Sequence, residues 1–148
     1  MSNAEYVRSI LLECPDISKD SPAMMIDFLG LNPMQYSIDG EPTGQIIKKY
    51  FGGDTLRRYS FALSARRDFA IDEDRAANNA NYEKLSLWLE RQTRFRRLPP
   101  MEGGAAPLKI EATGSPFILE RVEGREPDTA IYLMQIELTY TQKARNDL

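Results

Sequence analysis

The side chains able to do chemistry are few in this chain, and their spacing suits no common reaction. Cys14 is the single cysteine and histidine is absent. A thiol needs a neighbouring base to become a nucleophilic thiolate, and no imidazole exists to serve. One cysteine without histidine also makes a poor zinc or iron site. Cys14 therefore reads as a small buried hydrophobe. Asp72-Glu73-Asp74 concentrates carboxylates that could attract a divalent cation, yet it lacks the ligand spacing and the glycine of a calcium loop. Helix capping or a solvated loop is the preferred reading. A small enzyme working with carboxylates alone could draw, for example, on Asp72 with Glu111.

Two basic clusters stand out: Arg66-Arg67, and Arg91, Arg94, Arg96 and Arg97 interleaved with Phe95. Guanidinium groups beside an aromatic ring suit phosphate contact and base stacking. Against this, the chain is acidic overall, with a formal charge of -3. Arg94 and Arg97 also share one side of a helix near its C-terminus, where cations complement the dipole. Gly52-Gly53 and Gly103-Gly104 lack the lysine and helix start of a phosphate loop and read as turns.

These residues need a scaffold, and length and composition bound it. At 148 residues the chain is one domain's worth, able to bury a single core without disulfides or metals. No apolar run is long enough to span a bilayer, so a soluble domain with no membrane partner is expected. Met1–Ala4 lacks the layout of a secretory signal and is set aside as a tag remnant or disordered start. The folded domain is then 5–142, with 143–148 a polar, fraying tail.

Apolar spacing from Glu5 to Glu13 predicts a short amphipathic helix that Pro15 ends. Ser21-Pro22 looks like a second helix start, with Met24, Met25, Phe28 and Leu29 as its apolar face and Gly30 as its stop. A strand is expected over Met34 to Ile38, closed by an Asp39-Gly40 turn. Gln45 to Phe51 and Leu56 to Arg67 form a hairpin through Gly52-Gly53-Asp54, the second strand placing Arg57, Tyr59, Phe61, Leu63 and Ala65 on one face. Arg67 to Asn81 reads as loop or frayed helix, and Asn81 as the cap of a helix to about Phe95 that buries Tyr82, Leu85, Trp88 and Leu89. After the Pro99-Pro100 and Gly103-Gly104 break come strands around Leu108–Ala112 and Phe117–Leu119. The loop Glu123 to Asp128 then leads to the longest strand, Ala130 to Tyr140, which belongs near the sheet centre. The core anchors are Tyr59, Phe61, Leu85, Trp88, Leu89, Tyr132 and Ile136.

Several short segments together resemble a known group. They are Glu41-Pro42-Thr43, Ile46-Ile47-Lys48-Lys49-Tyr50, Gly53, Leu56-Arg57-Arg58-Tyr59-Ser60-Phe61, Ser64-Ala65-Arg66, Asn81-Tyr82-Glu83-Lys84-Leu85, Trp88-Leu89-Glu90, Leu98-Pro99, Lys109-Ile110-Glu111 and Thr113-Gly114. In this order they resemble the minor capsid, or minor tail, proteins of long-tailed phages of Gram-positive bacteria, which are similar to tail terminators. The resemblance implies an α+β subunit that forms a hexameric ring, caps the tail tube and offers a face to the head connector, with DNA passing through its lumen. It implies no catalytic residue, metal or cofactor. The location implied is the virion's head–tail junction, after passage through the host cytoplasm.

The expected architecture is a single α+β domain, with a mixed or mainly antiparallel sheet and helices mainly on one face. Its expected function is self-association and docking rather than catalysis. Loop residues can meet partners without disturbing a sheet. The segment from Asp68 to Asn81 and the loops Gly103 to Ala106 and Glu123 to Asp128 are the expected contacts, with Asp72, Arg75, Arg94, Arg97, Glu123 and Arg125 as the named candidates. Two other readings stand beside this one: an adaptor or minor capsid subunit elsewhere in the particle, and the carboxylate enzyme.

Overall fold

A computed structural model describes residues 1–15, 17, 24–27, 29, 36–42, 44–68, 72–122 and 129–144. Two long strands, β4 (Thr55–Asp68) and β7 (Thr129–Gln142), pair antiparallel from Thr55↔Gln142 to Asp68↔Thr129 without a register break. Their alternation explains why. Phe61, Leu63 and Ala65 of β4 and Ala130, Tyr132, Met134, Ile136, Leu138 and Tyr140 of β7 all fall on one face, and all are buried. A slip of one residue would turn that whole apolar set to the opposite face.

Shorter strands extend both sides of this pair. β2 (Tyr36–Gly40) and β3 (Ile46–Lys49) lie end to end along the outer side of β4, both antiparallel to it. β5 (Ala105–Ala112) and β6 (Phe117–Val122) do the same along β7, and β1 (Met24–Ile26) adds in parallel to β2. The result is an α+β fold with a mixed, mainly antiparallel sheet of seven strands. α1 (Asn3–Leu11) and α2 (Asp72–Arg94) bury Tyr6, Val7, Ile10 and Leu11, and Tyr82, Leu85 and Leu89, in the same apolar cluster as the core face of the sheet.

The opposite face is tighter than the pattern suggests. Ser60, Ala62 and Ser64 are buried there, lying low between longer neighbours. Ser64 Oγ donates to Asp39 Oδ2 at 3.4 Å, Ser37 Oγ to Asp39 Oδ1 at 3.1 Å and Ser60 Oγ to Glu137 Oε2 at 3.4 Å. The hydroxyls are thus satisfied as they leave water.

Several expectations need correction. Met24 to Ile26 is strand, not helix: it pairs with Tyr36 to Ile38, and that partnership overrides the helix propensity of methionine. The supposed cap Ser21-Pro22, with Phe28 and Gly30, lies outside the described residues. Asp39-Gly40 ends β2 instead of forming a turn, opposite Ala62 and Phe61. Gly40 suits this place because a Cβ would come within 3.2 Å of Tyr59 Oη. α2 starts at Asp72 and not at Asn81, its acidic first residues complementing the dipole and its alanines favouring helix. α1 starts at Asn3, with Ser2 and Glu5 forming a reciprocal capping box. The first residues are therefore part of the fold.

Of the expected anchors, Phe61, Leu85, Leu89, Tyr132 and Ile136 are buried, whereas Tyr59 and Trp88 sit half-buried at the rim of the core. Cys14 is buried. Leu89→Ala should therefore cost about 2–5 kcal/mol, and Trp88→Ala less than a fully buried tryptophan would, measured by urea denaturation. Burial raises the Tyr6 phenol to about 12 while its hydroxyl donates to Pro99 O at 2.6 Å. Such a group keeps its proton longer in the folded chain than in the unfolded one. Stability from this source is complete below about pH 10 and falls as pH rises toward 12. Tyr6→Phe should show a shallower alkaline loss of stability in that window.

Candidate functional site

The chemistry expected of carboxylates is not assembled. Asp72 opens α2, and Glu111 lies on β5, which meets the other end of that helix: Thr93 Oγ1 donates to Ile110 O at 2.9 Å and accepts from Ile110 N at 3.0 Å. Over the 23 residues of α2, roughly 30 Å of helix separates the two ends. Glu111 is instead paired with Lys109 at 3.1 Å. Among the described residues no group of three or more Cys, Asp or Glu side chains is placed to hold a metal ion. No described helix is long and apolar enough to cross a membrane.

The exposed surface is more informative. β3 and β4 are joined through Tyr50–Asp54, where Gly52 and Gly53 have φ of 92° and 96°. Only glycine takes such backbone without strain. Tyr50 N donates to Asp54 O at 2.8 Å and Gly53 N to Tyr50 O at 3.2 Å, closing the turn. The hairpin is tied to the end of β7, since Ala144 N donates to Asp54 Oδ1 at 2.8 Å. All four residues of β3 are exposed, including Ile46 and Ile47. Tyr50 is exposed with Lys48 Nζ 5.3 Å from its ring centroid, and Phe51 is fully exposed at the tip. Four large apolar side chains thus stand in water on one short arm. Isolated exposed apolar residues are ordinary, but four on one edge hairpin mark an interaction surface.

Two strand edges accompany the arm. The outer side of β3 has no partner strand among the described residues, nor do the outer sides of β5 and β6, where Leu108, Phe117 and Leu119 are exposed. Because β3 flanks β4 while β5 and β6 flank β7, these edges lie on opposite sides of the sheet. Unpaired edges are templates for strand addition.

The expected contact residues fall in scattered places. Arg75 is half-buried in α2, and Asn79 Nδ2 donates to its carbonyl at 2.9 Å. Glu123 and Arg125 lie outside the described residues, as does the loop that carries them. Gly103-Gly104 is a tight turn held to β7 by Gln142 Nε2 on Gly103 O at 2.7 Å and Lys143 N on Gly104 O at 3.0 Å. Arg94 and Arg97 come together: their Cζ atoms lie 5.6 Å and 5.2 Å from the Phe95 ring centroid. The hairpin was expected but its exposure was not; the signals available were the pairing of Ile46-Ile47, Lys48-Lys49 and Tyr50-Phe51, which does not alternate as a half-buried strand would, and Phe51 directly before a glycine pair, an apolar ring with no strand left to carry it inward.

Arg96 ends α2 in the left-handed region, with φ of 52°. Arg97 N donates to Gln92 O at 2.9 Å and Arg96 N to Thr93 O at 3.2 Å, the paired bonds of a Schellman closure. Glycine is the usual residue at that position, and a residue with a Cβ is strained there by about 1 kcal/mol. Arg96→Gly should therefore raise stability by up to about 1 kcal/mol in thermal or urea unfolding. A comparison with models of known protein families finds no match, and a comparison with curated proteins finds none either.

Proposed function

We propose that the chain is a structural subunit of a long-tailed phage or prophage particle, one that closes with copies of itself into a ring, caps the tail tube and offers a docking face to the head. The observation that carries the self-association is the apolar hairpin arm, with Ile46, Ile47, Tyr50 and Phe51 exposed. Two edges on opposite sides of one sheet, open among the described residues, support a head-to-tail contact, and head-to-tail contacts close into rings when the rotation between copies permits. The phage setting rests on the segmental resemblance alone. In this reading each subunit interface is modest and closure makes the whole durable, because every copy is held twice.

Light scattering coupled to size-exclusion chromatography, with and without purified tail tubes, tests the proposal. The expected result is a mass several times the 16.9 kDa of one chain, at high concentration or once tubes are added, with the protein at tube ends in micrographs. Phe51→Glu should remain at the single-chain mass while keeping the stability of the native chain, since Phe51 packs against nothing in its own fold. A single-chain mass under both conditions overturns the ring. Rings that form but never sit on tube ends overturn the terminator role and leave self-association standing.

A further inference from the structure

The end of α2 carries a second exposed surface, separate from the hairpin arm. Arg91, Arg94, Arg96 and Arg97 are all exposed, and among the described residues none of them is in an ion pair. Glu13 lines the same cleft as Arg97 without pairing with it. Four guanidinium groups within seven residues, with Glu90 the one carboxylate beside them in sequence, leave residues 90–97 at a formal +3 (four arginines less one glutamate), a strong local field in a chain whose formal charge is -3. The helix dipole does not account for them. It amounts to about half a negative charge confined to the last turn, and the carbonyls there already accept hydrogen bonds from Phe95, Arg96 and Arg97.

Phe95 is the second element. Its ring is exposed to water, yet two guanidinium groups are held over it, Arg94 and Arg97. The ring therefore restricts two long, rotamer-rich side chains before any ligand arrives, which lowers the entropy lost when they grip an anion. Arg96 in its left-handed conformation reverses the chain so that Arg97 returns over the ring from beyond the helix end. A ring engaged in this way is poorly placed to stack on a base. The arrangement favours planar, forked donors presented to phosphate oxygens.

We propose that this surface binds double-stranded nucleic acid through its backbone phosphates, without reading sequence, and that Phe95 acts as a positioning residue for Arg94 and Arg97. The proposal stands independently of ring formation, because every feature it uses belongs to one chain.

The test is fluorescence anisotropy of a labelled mixed-sequence duplex titrated with the full chain at several salt concentrations. Four phosphate contacts predict a log–log salt slope of about −3 to −4. The double variant Arg94→Ala/Arg97→Ala should weaken binding roughly tenfold at low salt and make the slope shallower by about 2, while duplexes of different sequence respond alike. Phe95→Leu keeps all four charges, so it should weaken binding by a smaller factor with the slope unchanged. Lys48→Ala/Lys49→Ala, on the hairpin arm, should leave binding intact. All of these side chains are exposed, and circular dichroism checks that each variant folds. Absence of binding at low salt overturns the proposal, as does an arginine double variant that binds like the native chain. Competition by polyglutamate as strong as by unlabelled duplex at equal charge would also overturn it, assigning the surface to acidic protein partners instead.

Discussion

The uninterrupted pairing of β4 with β7 is the constraint on which everything else hangs. Fourteen residues of each strand face one another in one register, and that register decides which side chains are covered by α1 and α2. Both strands are interior to the sheet, so each offers its outer side to two shorter strands. The hairpin arm, the Gly103-Gly104 turn and the end of β7 meet at one end of this pair through the bonds of Asp54, Gly104 and Lys143. The positions of both candidate surfaces follow from that arrangement: the arm continues β4 beyond the core, and α2 is anchored at its far end to β5 by Thr93 and Ile110.

Much of this was legible because its periodicity is clean. The alternation from Tyr132 to Tyr140 and from Phe61 to Ala65 is unbroken, so strand type, buried face and central position could all be read. The glycine pairs gave the turns, since positive φ has few other solutions. Met24 to Ile26 was illegible for the opposite reason. Three apolar residues fit either period, and what makes them strand is a parallel neighbour that no local pattern announces. The first turns of α2 could be read only as loop or frayed helix because asparagines and charges there supply no apolar stripe, although Asn78 is in fact buried and Asn79 bonds back along the helix.

The candidate surfaces divide in the same way. That Arg94 and Arg97 meet around Phe95 was legible from their closeness in sequence, but the expected reason was wrong: the helix stops at Arg94, and the left-handed Arg96, not i to i+3 helical spacing, turns Arg97 back over the ring. The exposure of the apolar arm could not be read, because whether Ile46, Ile47 and Tyr50 face a core or water depends on what lies above β3, and nothing among the described residues does. Tertiary context, rather than propensity, decides exposure.

The direction of the long ladder has a mechanical consequence. A pull on the tip of the arm directed along the axis of β4 loads the cross-strand bonds to β7 side by side in shear instead of peeling them one after another. A strand pair stressed in that geometry must yield at many rungs together, so along that axis the arm is rooted in fourteen paired residues and not in its own short ladder.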